Sequence, residues 1–335
     1  MRVQSTTRLR RSSVAAVAAS AALLLTLTGC TDNSASTASA SAAAPSAAAS
    51  SAAPASAAPS AAASEAPMAS EAPATTPGGP NAAAIALLPA DVAESGMLVV
   101  GTNLTYAPDE FKDPDGAPTG WGIELVQALA ATLGLEADLR DAQFDNIIPG
   151  VKGGKYDLGW ASFTDTVERQ QSVDFVDYYN AGIQWASQAG KDVNPDDACG
   201  LTIAVGTGTY QETDELPAKS EACVAAGKEP LELLKLDTQG DITNAVVLGR
   251  ADAMSADSPV TQYAVAQTDG KLQLAGEIFD AAPFGAALAK DGGMAEAVQA
   301  GLQSMMDDGT YDEILARWGV EAGAIPTATI NAGQS

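Results

Sequence analysis

Residues 97–134 read MLVVGTNLTYAPDEFKDPDGAPTGWGIELVQALAATLG, and they hold the first strand and the first long helix that the sequence predicts. The apolar run at 98–101 is typical of a short buried strand. Apolar side chains then recur at helical spacing from Ile123 to Leu133, and Gly134 is placed to end the helix. A strand followed by a helix is the repeating unit of α/β proteins.

The same alternation continues along the chain. Further strands are predicted at 135–139, 156–161, 201–205, 231–236 and 252–256, and helices near 147–151, at 242–248 and at 311–318. This alternation favours open sheets covered by helices on both faces, with ligands bound at the carboxyl ends of the strands.

The N-terminus has the pattern of an export signal. A basic stretch at 8–11 precedes an apolar run at 14–27, which is too short and wrongly flanked for a membrane-spanning helix. The small residues before Cys30 resemble the bacterial lipobox, in which this cysteine is acylated. The alternative is an ordinary signal peptide with an incidental cysteine. We expect a lipoprotein signal peptide at 1–29 and a lipid anchor on Cys30.

The composition narrows the possible functions. Residues 30–80, which begin with that cysteine, are almost entirely Ala, Ser, Pro and Thr. This composition predicts a disordered leash, because large apolar side chains are too few to offset the entropy cost of ordering the chain.

The whole chain carries 42 acidic and 17 basic residues, and its net charge of −25 argues against nucleic-acid binding. It has no histidine, which excludes Ser-His and Cys-His nucleophile pairs and His-ligated metals.

Two cysteines, Cys199 and Cys223, remain once Cys30 is acylated. In an exported protein such a pair is most simply a disulfide. The alternatives are a redox pair, which lacks the CxxC spacing, and a soft-metal site, which lacks a third ligand. We expect the disulfide.

Two charged residues follow predicted strands. Arg169 comes shortly after the strand end at 162–164, which carries hydroxyl groups. Its guanidinium and these nearby donors could form a bidentate anion site. The alternative is a solvated surface arginine. Asp257 ends another strand and could accept an ammonium group, and its alternative role is to cap the helix that Pro259 indicates.

Two loops supply further candidates. Tyr106 follows the first strand, where an aromatic ring either covers an apolar part of a ligand or simply packs. The glycine-rich turn at 206–210 opens a helix, so its amides could meet a carboxylate. Gly-x-Gly alone is a weak signal, and no phosphate-loop lysine accompanies it.

In this order, the residues resemble the polar amino-acid-binding family of extracellular solute-binding proteins, in its actinobacterial lipoprotein form. These proteins are the receptors of ABC importers, and the resemblance runs from about residue 97 to 320. Its landmarks are Val100-Gly101-Thr102, Tyr106-Ala107-Pro108, residues 119–125, 144–149, 166–169 and 173–175, Gly208-Thr209, Asp252-Ala253 with Asp257, and residues 307–311.

The resemblance implies an α/β type II periplasmic-binding-protein fold. This fold has two lobes, each with a central, mostly parallel sheet flanked by helices, and a hinge in which the chain crosses twice. The crossings are expected near 183–186 and 282–286. Lobe 1 would comprise 81–183 and 284–335, and lobe 2 would comprise 184–283.

The resemblance also assigns residues to the charged main-chain groups of the ligand. Arg169 would clamp the α-carboxylate, helped by Thr164. The amide region of Thr209 and Tyr210 would meet the same carboxylate. Each of these positions follows the carboxyl end of a predicted strand, where this fold binds its ligand.

The remaining roles concern the ammonium group and the side chain of the ligand. Asp257 would pair with the α-ammonium, together with the backbone or hydroxyl around Ser162. Tyr106 would stack on the ligand side chain, and Ile147 and Phe163 would line the pocket.

Asn103 departs from the family pattern, because members that bind cationic ligands often place an acid there. An asparagine can hydrogen-bond an amide, a hydroxyl or a carboxylate, but it cannot neutralise lysine or arginine. The sequence therefore predicts a neutral polar ligand such as glutamine or asparagine.

The function expected from the resemblance is that of a receptor lipoprotein for an ABC importer. It would be a monomer at the extracellular face of the cell membrane, without metal or cofactor, and it would deliver a polar amino acid to a membrane permease. Two other functions stay open: a ligand-sensing receptor for a signalling partner, and a dehydratase on the same fold.

Overall fold

The strand–helix unit that the sequence predicts at 97–134 is present in the computed structural model, which describes residues 79–334. Strand β1 is Met97–Thr102 and the long helix that follows is Trp121–Thr132. This helix turns Trp121, Leu125 and Leu129 fully into the core, as its apolar spacing predicts.

The strands alternate with helices through the described chain. The strands are β1 (Met97–Thr102), β2 (Thr105–Tyr106), β3 (Glu110–Lys112), β4 (Pro118–Thr119), β5 (Glu136–Asp141), β6 (Leu158–Thr164), β7 (Asp174–Gln188), β8 (Thr202–Gly206), β9 (Glu232–Leu236), β10 (Ala253–Asp257), β11 (Leu272–Leu288) and β12 (Thr329–Ile330). The α-helices are α1 (Ala82–Ile85), α2 (Ala90–Ser95), α3 (Trp121–Thr132), α4 (Ile147–Lys152), α5 (Val167–Gln170), α6 (Leu216–Ala225), α7 (Gln239–Val247), α8 (Ser258–Gln267), α9 (Ala295–Asp308) and α10 (Thr310–Trp318). Short 3₁₀ helices lie at Phe144–Asn146, Pro195–Asp197 and Glu321–Gly323, and a π-helix lies at Gln211–Glu215.

Within residues 79–334, nine strands form one sheet that passes through both lobes. Its order is β5-β1-β6-β11-β7-β10-β8-β9, and β12 pairs with β7. The pairs β1–β5 and β1–β6 in one lobe, and β8–β9 and β8–β10 in the other, are parallel. The fold is therefore the α/β, two-lobed, type II arrangement that the sequence predicts.

Two long antiparallel strands connect the lobes. The first half of β7 pairs with the second half of β11, and that half of β11 also pairs with β6. The second half of β7 pairs with the first half of β11 and, on its other edge, with β10. The β7–β11 register shifts between Ala275 and Phe279, between Phe279 and Ala282, and between Phe284 and Gly285. The first two irregularities lie between the part of this strand pair that adjoins β10 and the part that adjoins β6.

Each lobe has its own apolar core. The larger core surrounds α3 and includes Trp160 and Tyr178, whose rings stack at a centroid distance of 4.1 Å. Two smaller cores lie in the other lobe, one around Trp185 and one around Met254. Separate cores allow each lobe to keep its shape if the lobes move relative to each other.

Several predicted features lie outside the described residues. They are the signal peptide at 1–29, the acylated Cys30 and nearly all of the leash at 30–80. Among residues 79–334, every helix is too short or too polar to cross a lipid bilayer.

The predicted disulfide is confirmed. Cys199 and Cys223 are bonded across a sequence separation of 24 residues, and they join the segment before β8 to α6. Cys223 lies in the core around Trp185, so the bond fastens α6 onto its lobe.

We predict that replacing both Cys199 and Cys223 by serine lowers the free energy of unfolding by about 3 kcal/mol, because the unfolded chain regains the freedom of the closed loop. Urea denaturation measures this difference. Ligand affinity serves as the control and should not change, because neither cysteine lines the cavity described below. An unchanged free energy of unfolding would contradict the prediction.

Candidate functional site

A cavity opens at the carboxyl ends of four parallel strands. Strands β1 and β6 reach it from one lobe and β8 and β10 from the other. Its empty volume is about 590 Å³, including the open solvent at its mouth. This volume falls in the range of small-molecule sites, and the position is where open α/β sheets bind ligands.

Asp257 is the buried carboxylate of this cavity. Its Oδ2 atom accepts a hydrogen bond from the Tyr106 hydroxyl at 2.6 Å, and its backbone N–H donates to the same hydroxyl oxygen at 3.1 Å. Its Oδ1 atom accepts from Nε2 of Gln211 at 2.8 Å. Burial raises the pKa of Asp257 to about 6, although these hydrogen bonds and Arg169 oppose the shift.

The helix-capping role that the sequence left open for Asp257 is not observed. The residue occupies the N-cap position of α8, but its side chain makes no capping hydrogen bond. Its carboxylate instead lines the cavity and joins the two lobes through Tyr106.

Arg169 lies beside the cavity on the short helix α5. Its Nη1 atom donates to the carbonyl oxygen of Thr164 at 2.8 Å and Nη2 donates to that of Gly208 at 3.0 Å, so the guanidinium bridges the lobes. It also lies over the rings of Phe144 and Phe163, 5.7 and 5.9 Å from their centroids. The residue is half-buried, and burial lowers the pKa of its guanidinium while neighbouring carboxylates oppose the shift.

Strand β6 contributes Ala161, Ser162 and Thr164 to the wall of the cavity. Ser162 has a φ of 50°, which interrupts the regular alternation of the strand, and Phe163 is buried in an apolar cluster with Ile147 and Val151. There its ring packs against Phe144 at a centroid distance of 4.5 Å. Phe163, expected as a lining residue, therefore lies behind the wall.

Ile147, also expected in the wall, is fully buried in an apolar cluster below it. Phe144, in the same stretch, lines the cavity instead. Ile147 begins α4 and turns toward Val151 and Phe175 in that cluster, so its side chain contributes to folding at this edge of the sheet.

The predicted turn at 206–210 lies at the opposite wall. Thr209 and Tyr210 both line the cavity. The Thr209 hydroxyl donates to the Gly206 carbonyl at 2.8 Å, which fixes the turn.

Seven of the ten residues that were expected to bind the ligand line the cavity: Asn103, Tyr106, Ser162, Thr164, Thr209, Tyr210 and Asp257.

Asn103 lines the cavity, but its amide is used in hydrogen bonds within the protein. Nδ2 donates to the Ala142 carbonyl at 3.0 Å, and Oδ1 accepts from the Thr105 hydroxyl at 2.6 Å. The residue is 7 % exposed. These hydrogen bonds connect the loop after β1 to the residue that follows β5, so the amide of Asn103 has a structural role.

A π-helix that the sequence pattern does not predict follows the turn, at Gln211–Glu215. Its first residue, Gln211, binds Asp257, and its last, Glu215, accepts hydrogen bonds from Nε1 of Trp185 at 2.9 Å and from the Ser255 hydroxyl at 2.6 Å. Burial raises the pKa of Glu215 to about 7, against the effect of these two hydrogen bonds. Only the position of Gln211 directly after the Gly-Thr turn could have indicated it.

A buried pair of acids, which the sequence pattern does not predict either, lies behind Ser162. Asp109 and Glu110 are both fully buried, and Nε1 of Trp121 donates to Asp109 at 2.7 Å. The Ser162 hydroxyl lies 3.0 Å from Asp109 Oδ2 and 3.1 Å from Glu110 Oε2. The single hydroxyl proton of Ser162 can be donated to only one of the two carboxyl groups at a time. Burial raises the pKa of both groups, which favours a proton on the carboxyl pair itself.

The arrangement can hold a small zwitterion but shows no metal site. Among the residues that the structure describes, no group of three or more Cys, Asp or Glu side chains is placed to hold a metal ion. The cavity offers a carboxylate, hydroxyls and amides, with a guanidinium at its border.

The fold and the cavity define a two-lobed ligand-binding protein of the type II periplasmic class. The chain belongs to the bacterial extracellular solute-binding proteins, family 3, whose sequence profile matches residues 98–321.

Three relatives illustrate this membership. The arginine-binding protein ArgT of Corynebacterium glutamicum is 40 % identical over 248 residues, which cover 73 % of this chain and 82 % of the relative. A solved ancestral arginine-binding protein bound to arginine is 32 % identical, with a TM-score of 0.62, and the match covers 67 % of this chain and 98 % of that one. The ancestral amino acid-binding protein AncCDT-1, a precursor of cyclohexadienyl dehydratase, is 32 % identical, with a TM-score of 0.59 and coverage of 68 % and 97 %.

We predict that this protein is more stable at pH 5 than at pH 8. The pKa values of Asp257 and Glu215 are about 6 and about 7 in the folded state, whereas both lie near 4 in the unfolded chain. The folded state therefore binds more protons, and the stability this provides is full below about pH 4 and is lost as the pH rises through 6 to 7.

Urea denaturation at pH 5 and pH 8 should give free energies of unfolding that differ by about 2 kcal/mol or more. Glu215→Gln should reduce that difference, because its side chain no longer titrates. Equal stability at the two pH values, or greater stability at pH 8, would contradict the prediction.

Proposed function

We propose that this protein binds a polar amino acid between its lobes and delivers it to the permease of an ABC importer. The observation that carries the proposal is a guanidinium and a buried carboxylate, Arg169 and Asp257, at the border and in the wall of one cavity. An amino acid has a carboxylate and an ammonium group to match them. Named relatives that bind amino acids support this choice of ligand.

The ligand would act by holding the lobes together. We assign 81–183 and 284–335 to lobe 1 and 184–283 to lobe 2. Arg169 then comes from lobe 1 and Asp257 from lobe 2, so one zwitterion contacts both. A ligand shifts an open–closed equilibrium only by its differential affinity for the closed state, and two charge-assisted contacts on different lobes supply that difference.

We propose that the ligand side chain is cationic, with arginine as the first candidate. The cavity wall includes Asp237 as well as Asp257. Asp257 is assigned to the ammonium group of the ligand, which leaves Asp237 to attract a cationic side chain. The arginine-binding relatives support the same choice.

The neutral polar ligand that the sequence predicts stays a prediction, but the side chain on which it depends is already hydrogen-bonded within the protein. It rested on Asn103, whose amide already serves Ala142 and Thr105. Asn103 therefore contributes to the shape of the wall, and the charge preference would come from Asp237.

We also propose where the binding domain lies and which partner it meets. A lipid anchor on Cys30 and a leash at 30–80 would hold the binding domain, a monomer, at the extracellular face of the cell membrane. Extracellular location is the family's general property. Closure would then present a ligand-specific surface to the permease.

We propose binding without turnover of the ligand. AncCDT-1 is described as a precursor of a dehydratase, which keeps an enzymatic alternative testable. Arginine recovered unchanged after prolonged incubation with the protein supports binding, whereas its conversion would favour an enzyme. A sensor of the same ligand would be distinguished by a signalling protein, rather than a permease, in the co-purified complex.

We predict that Arg169→Ala weakens arginine binding about thirtyfold or more, because a desolvated carboxylate of the ligand loses its charged partner. Calorimetric titration measures the affinity. Arg140→Ala is the matched control, since Arg140 is an exposed arginine on β5, paired with Asp138, and should leave binding unchanged. Equal affinities of Arg169→Ala and the unaltered protein would remove the carboxylate clamp from the proposal.

We predict that arginine binds about fivefold or more tightly than citrulline, its neutral counterpart of nearly the same shape, because only arginine supplies a side-chain charge that Asp237 attracts. The same titration with both ligands gives this ratio directly. Citrulline or glutamine binding as tightly as arginine would restore the prediction of a neutral ligand.

A further inference from the structure

The C-terminal segment continues past the part of the chain that the family profile matches, which ends at residue 321. Residues 329–330 form β12, which pairs antiparallel with β7, Thr329 opposite Asp177 and Ile330 opposite Val176. We call residues 329–334 the C-terminal strap. It adds an ordered piece to lobe 1 that the shared family region does not include.

Side chains of β7 fasten the middle of the strap. The carboxylate of Asp177 accepts from the Thr329 hydroxyl at 3.0 Å and from the Ala332 backbone N–H at 3.2 Å. The Asn331 side chain accepts from the backbone N–H of Phe175 at 2.8 Å and donates to Asp174 at 2.9 Å. The strap is therefore held in a single register on β7.

The end of the strap reaches the segment that carries Arg169. The Gly333 N–H donates to Oδ2 of Asp165 at 2.8 Å, and the Gly333 carbonyl accepts from Nε2 of Gln170 at 3.1 Å. The same Nε2 atom donates to Oδ1 of Asp165 at 2.8 Å. Gly333, Asp165 and Gln170 thus form a closed ring of hydrogen bonds.

Only glycine fits at position 333. A Cβ atom there would lie 1.9 Å from the backbone oxygen of Asp165 and 2.7 Å from its Cγ atom. Gly333 is buried and Asp165 is fully buried, so neither can move aside without displacing the strap.

Asp165 stands between the two residues that hold Arg169. The Thr164 carbonyl accepts from the Arg169 guanidinium, and the Thr166 hydroxyl accepts from the Arg169 backbone N–H at 3.1 Å. Helix α5 has only four residues, 167–170, and so short a helix is not stable by its own hydrogen bonds. Contacts from outside must fix its conformation.

We propose that the C-terminal strap positions Arg169, and that Gly333 is its positioning residue. The strap holds Asp165 and Gln170, one on each side of Arg169, and thereby fixes the guanidinium at the border of the cavity. This inference rests on the proposed function, in which Arg169 binds the ligand carboxylate.

The test is Gly333→Ala, with Gln334→Ala as the matched control because Gln334 is the exposed next residue of the strap. We expect arginine affinity to fall about five- to twentyfold in Gly333→Ala and less than twofold in the control. In an Arg169→Lys background, Gly333→Ala should have less than a twofold effect, which a merely structural role would not produce. Asn331→Ala, which loosens the strap by different chemistry, should act in the same direction.

Hydrogen exchange at the backbone amides of Arg169 and Gln170 needs no ligand and keeps the two proposals distinct. Faster exchange in Gly333→Ala than in the control, together with the affinity loss, supports positioning by the strap. Faster exchange with unchanged arginine affinity would overturn it, as would an equal loss in the Arg169→Lys background. If arginine and the other amino acids fail to bind the unaltered protein, the proposed function fails. Unchanged hydrogen exchange at Arg169 and Gln170 in Gly333→Ala would overturn the positioning role of the strap itself.

Discussion

The carboxylate of Asp257 is the interaction on which the site depends. It is buried where the lobes meet, and both hydrogen-bond donors that the described residues bring to its oxygens, Tyr106 and Gln211, are neutral. A buried carboxylate with neutral donors is costly to ionise, which is why its pKa rises. An ammonium group of a ligand would offset that cost, so the same burial that destabilises the empty site favours the filled one.

The rest of the fold places the partners of this carboxylate. Parallel strands bring their carboxyl ends to the cavity from both lobes, and the long strands β7 and β11 connect those lobes. The π-helix after β8 turns Gln211 toward Asp257, and α5 directs Arg169 across to Gly208. The strap on β7 is the outermost part of this arrangement, since it reaches the segment of Arg169 through Asp165.

Sequence patterns predicted the elements whose residues act locally. Apolar spacing located α3 and most of the parallel strands to within two or three residues, and the cysteine pair was confirmed. The site was predictable where polar residues end strands, as with Asp257. It was not predictable where the partner is distant in sequence, as with Asp109 behind Ser162 or Gly333 on Asp165. The position of Phe163 behind the wall was not predictable either, because the positive φ of Ser162 interrupts the alternation of β6.

The most direct test is to measure the pKa of Asp257 by carbon NMR with and without arginine. We predict a value of about 6 in the free protein and a fall by at least about one unit on binding, because a paired ammonium group favours the ionised carboxylate. A pKa that stays the same or rises when arginine is bound would show that Asp257 does not receive the ammonium group.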